Sequence, residues 1–484
     1  MDKIFKPTWN SLKTHQTPQW FLDAKFGIYT HWGIYSVPAW GSNGTWYPYY
    51  MYREGSKIFN HHVKSWGHPS KFGYKDFIPL FTAKNFDPDE WAEIFKNSGA
   101  QFAGPVAEHH DGFTMWDSKI NKWNAAKMGP KRDVVGELEK AIRSQGMMFM
   151  VALHHAENWW FYPHWIKEYD TSDPNYAGLY GPAHDLKKTE LTKEQEFSKG
   201  QEKPSKEFLE QWKGKIQEVV DNYRPDLVWF DFGLGKIHDR YRREAIAHIY
   251  NREKDFNKNI AITYKELPKG LFNLPPGVGV LDLEVGKMNY LTPHNWLTDT
   301  SVDAGPNGTW SYVKNVGYKS VERLVHNLID RVSKNGHLLL NVGPRSDGTI
   351  PNQAKKCLAG IGKWLDINGE AIFGTTSWQI FGEGPTEPDK SGGHFNENNE
   401  VRFTAHDIRY TVKDNNLYAI ALGQPGDQIT FSELRSLYES EIIRIRMLGN
   451  NQNLNWIIDD DGLTIDLPKK IPCEHAVSFK ITMK

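Results

Sequence analysis

The stretch Asp226-Leu227-Val228-Trp229-Phe230-Asp231-Phe232-Gly233 decides the fold. It is short and apolar, with Pro225 before it and Gly233 at its end, which predicts a buried parallel strand. An acid at the carboxyl end of such a strand is not idle, because burying a charge without a partner is expensive. Side chains alternate along a strand, so Trp229 projects to the same side as Asp231. An indole beside a carboxylate suits a site that holds a sugar ring over a reactive acid. The plainer reading is an Asp that caps the next helix.

Working outward, similar apolar runs occupy 26–33, 102–110, 147–155, 259–266, 278–285 and 338–343, with a weak one at 297–302. Helical stripes lie between several of them. Phe208, Leu209, Trp212, Ile216, Val219, Val220 and Tyr223 share one face of 205–223. Val321, Leu324, Val325, Leu328, Ile329 and Val332 do the same in 320–335, and 133–146 opens on Asp133 and closes at Gly146. Eight strands in βα order predict an α/β protein of the (β/α)8-barrel type, irregular around strands five to seven where no convincing helix intervenes. From about residue 370 the pattern becomes period-two runs separated by turns, at 401–405, 408–413, 417–422, 442–448, 455–459 and 463–467. Residues 382–396 read as a loop or linker. The chain therefore divides into a barrel over 1–370 and a C-terminal β-sandwich over 371–484.

Composition narrows the function. Lys and Arg number 58 against 59 Asp and Glu, so no basic surplus exists to neutralise a nucleic-acid backbone. No run of 18 apolar residues is present to span a membrane. Met1–Trp20 lacks an apolar signal core, so this form is not visibly exported. A leader removed before this numbering would make the protein periplasmic or secreted, and otherwise it would be cytoplasmic. Two cysteines, Cys357 and Cys473, are too few for a disulfide frame or a thiolate metal site. Aromatic residues make up 13% of the chain and crowd two predicted insertions, 36–86 and 156–204. Both would emerge at the carboxyl face of the barrel, and the charged stretch 184–204 reads as mobile.

The predicted strand ends converge on one constellation: His31; His109, His110 and Asp111; His154 and His155; Trp229 and Asp231; Lys265 and Glu266; Asp282 and Glu284. Imidazoles and an indole can grip hydroxyl groups while two carboxyls do acid–base work. A retaining glycosidase needs one ionised carboxylate and one protonated carboxyl roughly 5–5.5 Å apart, against ~6.5–9.5 Å for inversion. Asp231 is the candidate nucleophile. Glu284 is the candidate acid/base, with Asp282 and Glu266 as alternatives.

These residues resemble the α-L-fucosidases of glycoside hydrolase family 29. The likeness rests on Phe26-Gly27-Ile28-Tyr29-Thr30-His31-Trp32-Gly33, on His109-His110-Asp111-Gly112-Phe113 with Trp116-Asp117-Ser118, and on Arg132-Asp133-Val134-Val135. It extends to Trp229-Phe230-Asp231 and to Asn341-Val342-Gly343-Pro344 with Asp347-Gly348. It implies retaining hydrolysis of terminal α-L-fucosyl residues from a fucosylated glycan or fucose-containing polysaccharide, without a cofactor. It implies Asp231 as nucleophile and a sugar pocket lined by His31, Trp46, His109, His110, His154 and Trp229. Thr45 stands where relatives often carry Glu, and His154 where they often carry Tyr. Leu297 stands where one branch places its acid/base, which leaves the other branch's position, Glu284. A homo-oligomer is compatible with this reading.

Two rivals remain at this level. One is a barrel that binds fucose without turning it over, since fold does not give function. The other is a metal-dependent hydrolase using His109, His110, His154 and Asp231. Alternation argues against the second: adjacent His109 and His110 point to opposite sides unless the strand has already ended.

Overall fold

The computed structural model describes residues 4–185, 202–266, 273–386, 392–397 and 402–484. Eight parallel strands close into a barrel in chain order. They are β1 (Phe26–Thr30), β2 (Phe102–Glu108), β3 (Met148–Leu153), β4 (Leu227–Phe230), β5 (Ala261–Lys265), β6 (Val280–Asp282), β7 (Trp296–Ser301) and β8 (Gly336–Val342). β8 returns to β1, placing Leu338 opposite Phe26. Parallel strands buried on both faces need apolar residues throughout, which is why most of them were readable as continuous runs. The barrel interior is filled, not open: Tyr29, Val106, Met150, Leu227, Trp229, Leu297 and Leu339 form one buried cluster.

The weak run at 297–302 is a full strand, paired with β8 along six consecutive residues from Trp296 to Ser301. Its hydropathy was misleading because its polar side chains are buried with partners. Thr298 donates to the Gly286 carbonyl at 3.1 Å, and Thr300 accepts from Lys319 at 2.6 Å.

Helices α1 (Pro88–Asn97), α2 (Val134–Ser144), α3 (Lys206–Tyr223), α4 (Asp239–Phe256), α5 (Val321–Ser333) and α6 (Asn352–Asn368) surround the strands. Asp87, Asp133, Ser205 and Ser320 cap α1, α2, α3 and α5 through their side chains. Among the described residues no helix lies between β5 and β6 or between β6 and β7, as the sequence predicts.

The C-terminal part is antiparallel. Strands β9 (Thr376–Glu383), β10 (Ile408–Lys413), β11 (Asn416–Ala421), β13 (Ile442–Met447) and β16 (Val477–Met483) form one sheet. Strands β12 (Gln428–Phe431), β14 (Trp456–Asp459) and β15 (Gly462–Asp466) form a second. Ile408, Tyr410, Phe431, Leu463 and Phe479 belong to the core they share.

Three expectations need correction. β9, β12 and β16 lie outside the runs that the sequence pattern predicts. Residues 402–405 lie in no strand, and residue 401 is outside the described residues. The stretch 382–396 is not simply a linker: it opens on the end of β9, and Gly393 bridges to Lys287 at the barrel mouth. The expected mobile stretch 184–204 falls mostly on 186–201, outside the described residues.

Candidate active site

The carboxyl ends of the strands bring the constellation together. β4 stops at Phe230, so Asp231 sits just past the ladder, in the barrel mouth. Its Oδ2 accepts from His154 Nδ1 at 2.8 Å and lies 3.3 Å from His110 Nε2. Its Oδ1 lies 3.3 Å from Lys265 Nζ. Glu284 Oε2 accepts from the same ammonium at 2.8 Å, and Asp299 Oδ2 lies 2.8 Å from it. An ammonium shared in this way keeps the nearest oxygens of Asp231 and Glu284 within about 6 Å.

Burial alone would raise the Asp231 carboxyl, but Lys265, His154 and His110 outweigh it and hold the group well below the usual range. Burial pushes Glu284 up to about 7 against the pull of Lys265, and the neighbouring Asp299 and Asp231 add to the rise. The two carboxyls are therefore pushed in opposite directions, so that near neutral pH Asp231 is ionised while Glu284 still holds a proton in a substantial share of molecules. Lys265 itself is disfavoured by burial, yet the surrounding acids hold it well above an ordinary lysine.

The alternatives to Glu284 are placed differently. Asp282 is fully buried and accepts from the Trp229 indole N–H at 2.5 Å and from the Asp299 amide at 2.9 Å. Burial and Asp299 raise its carboxyl well above the ordinary value. Glu266 accepts from the Asn273 amide at 3.2 Å in the loop beyond β5. Trp229 is 0% exposed, its indole tied to Asp282 and its ring lying under the Lys265 ammonium at 4.8 Å. It lies beneath Asp231 and Lys265 as the apolar base of the site.

The imidazoles make one wall. Asn341 Oδ1 accepts from both the His31 amide and His31 Nδ1, at 3.1 and 2.8 Å, so His31 Nε2 is left as an acceptor. His154 spends its Nδ1 proton on Asp231, and its buried Nε2 meets no protein partner among the described residues. Burial lowers His31 and His109 well below an ordinary imidazole, and His154 to about 4. Neutral rings with free acceptor nitrogens suit sugar O–H donors.

The alternation argument about His109 and His110 does not apply. β2 ends at Glu108, and the two rings converge with centroids 4.2 Å apart. The turn that follows needs Gly112, whose φ is +80° and whose added Cβ would lie 1.9 Å from the Leu179 carbonyl. His31, His109 and His154 form one triplet of potential metal donors, and His110, His154 and Asp231 another. In the second, the His154 proton already lies between two of the donors.

The insertions supply the rim. Trp46, from 36–86, and Phe161, from 156–204, bring their rings 5.5 and 5.4 Å from His110. Asp111 joins them below, accepting from Tyr74 OH at 2.7 Å while its carbonyl accepts from Tyr162 OH at 3.2 Å. Thr45 turns into its own loop and donates to Asn43 Oδ1 at 2.9 Å.

Sequence reasoning missed Asp299, Trp310 and the 392–397 segment, and gave Lys265 no role. Trp310 holds φ +60°, and its ring lies 5.3 Å from both His31 and the Lys265 ammonium. A lysine closing the apolar run Ala261-Ile262-Thr263-Tyr264 was a usable signal. For Trp310, in an irregular loop, there was none.

The comparisons agree along the whole chain. A family model described as alpha-L-fucosidase matches residues 1–370, and one described as alpha-L-fucosidase C-terminal domain matches 401–482. Plasma alpha-L-fucosidase of Homo sapiens is 32% identical, the match covering 99% of this chain and 92% of that protein. Tissue alpha-L-fucosidase of Rattus norvegicus is 31% identical over 99% of this chain and 92% of its own. The crystal structure of Thermotoga maritima alpha-fucosidase in complex with fucose superposes with a TM-score of 0.76 at 30% identity, covering 99% of this chain and all of the other. With the same barrel, the same C-terminal sheets and relatives matched end to end, this chain belongs to the α-L-fucosidase family of glycoside hydrolases, family 29.

Proposed function

We propose that the protein is an exo-acting, retaining α-L-fucosidase in which Asp231 is the nucleophile and Glu284 the acid/base. The observation that carries this reading is two buried carboxyls flanking one ammonium, Asp231 pushed down by its cationic neighbours and Glu284 pushed up by burial. Asp231, ionised and steadied by His154 and Lys265, attacks the anomeric carbon. Glu284 gives its proton to the departing glycosidic oxygen. Once the leaving group is gone, the Glu284 carboxylate takes a proton from water, which attacks the same carbon and releases Asp231. Nearest oxygens held within about 6 Å of each other by the shared ammonium are compatible with direct attack. His31, His109, His110 and His154 ring the pocket, Trp46 lies at the rim, and Trp229 lies at the base. A pocket closed below admits a terminal residue, which is the basis for exo action.

Hydrolysis of an aryl α-L-fucoside followed by NMR tests the assignment. The first anomer released should be α-L-fucose, and initial release of the β-anomer would remove Asp231 as a covalent nucleophile. Activity that survives a strong chelator excludes metal assistance by either donor triplet.

A further inference from the structure

Residues 392–397 lie along the barrel mouth beside Glu284. Gly393 and Lys287 exchange backbone hydrogen bonds at 2.9 and 3.2 Å, the Phe395 amide donates to the Glu284 carbonyl at 2.8 Å, and the Glu397 amide donates to the Val285 carbonyl at 2.9 Å. His394 Nδ1 accepts from the Glu284 amide at 2.9 Å. The segment is pinned from below by the Glu397 carboxylate, which accepts from Lys319 at 2.7 Å and from Asn327 at 3.0 Å.

What this strap presents is unusual. Phe395 is 45% exposed although it is anchored on both sides, and it holds φ +57°, a left-handed conformation that aromatic residues seldom adopt. Its ring lies nearly parallel to that of Phe232, with centroids 6.4 Å apart and an interplanar angle of 28°. Phe232 follows Asp231 directly, and the Lys265 ammonium lies 5.2 Å from its ring. An anchored, exposed Phe395 backed by the half-buried Phe232 therefore flanks the side of the site where Glu284 would meet the departing oxygen.

We propose that Phe395, backed by Phe232, forms a leaving-group subsite that takes the apolar face of a pyranose or aryl aglycone. The proposal rests on Glu284 marking the leaving-group side. A sugar ring offers a C–H face that stacks on an aromatic plate, and a plate held by backbone hydrogen bonds binds with little ordering cost. The C-terminal half would in this way contribute directly to substrate choice.

The test compares kcat/KM for a fucosyl disaccharide with that for α-L-fucosyl fluoride, whose leaving group has no ring. In Phe395→Ala the preference for the disaccharide should fall roughly tenfold, and Phe395→Trp should restore it. A preference unchanged in Phe395→Ala, whether both rates fall together or neither moves, overturns the subsite. Glu284→Gln is scored separately: it should abolish disaccharide hydrolysis while sparing the fluoride, which needs no proton. If it spares both substrates, the proton-donor reading fails, and the Phe395 ratio still reports on the aromatic plate alone.

Discussion

Asp231, Glu284, Asp282 and Asp299 all act electrostatically on one lysine, Lys265. A single buried ammonium cannot hold four carboxylates ionised, so protons must remain on some of them. Asp231 keeps its charge because His154 and His110 add to Lys265, whereas Glu284 and Asp282 are pushed upward. The sign of the pH dependence follows. Glu284 must be protonated to donate, so kcat/KM should decline as pH rises through about 7, while Asp231 places the acidic limb far lower. Glu284→Gln should remove the alkaline limb and slow poor leaving groups by about 10²–10⁴-fold. Lys265→Met withdraws the cation that lowers both acids, so both limbs should move to higher pH. Rate profiles of the two variants check this, and an alkaline limb surviving in Glu284→Gln would refute the assignment. The acids and imidazoles were legible because each closes an apolar run. Which acid is protonated was not, since that depends on Asp299 and on the burial of Lys265.

At the scale of elements, the strap and β7 show where sequence patterns stop informing. β7 reads weakly because polar side chains bonded to their neighbours leave no hydropathy signal, and 392–397 has no periodicity. The strap's hold on the mouth depends on Glu397, whose carboxyl would be raised by burial but is held near 2 by Lys319 and Arg331. A depressed carboxyl adds stability that is present above its unfolded value of about 4.3 and is lost as pH falls toward 2. Val285, just after Glu284, holds φ +44° with its carbonyl bonded to the strap. A branched residue in that conformation needs outside support. Glu397→Gln should therefore cost about 3–5 kcal/mol, since it leaves buried cations without their partner. It should also lower kcat more than it raises KM, because Glu284 loses its aim. Denaturant titration and steady-state kinetics measure the two effects. A stable variant whose KM alone changes would mean that the strap does not position Glu284.

Over the whole molecule, the C-terminal sheets keep a core between them and share a second buried cluster with the barrel helices. Tyr418, Ile420, Leu422 and Ala476 of the second part belong to the same buried cluster as Leu324, Leu328 and Trp364 of the barrel helices. The Trp364 indole donates to the Ala476 carbonyl at 2.9 Å, and Arg409 of β10 donates to Asp330 of α5 at 2.8 Å. Asp330 also accepts from Lys334 at 2.8 Å, so the join is a closed, buried charge network. The period-two texture made the second part legible as sheets, but nothing local in the sequence shows that its strands complete the hydrophobic cover of α5 and α6. A shared core makes the two parts unfold together, because opening either one strips apolar area from the other. Calorimetry should show a single transition. Arg409→Ala leaves Asp330 facing one cation fewer and should lower that transition by about 3–5 kcal/mol without splitting it. Two resolved transitions in the wild-type protein would mean that the sheets ride on an independently stable barrel, and the Arg409 network would then be a contact between domains instead of part of a common core.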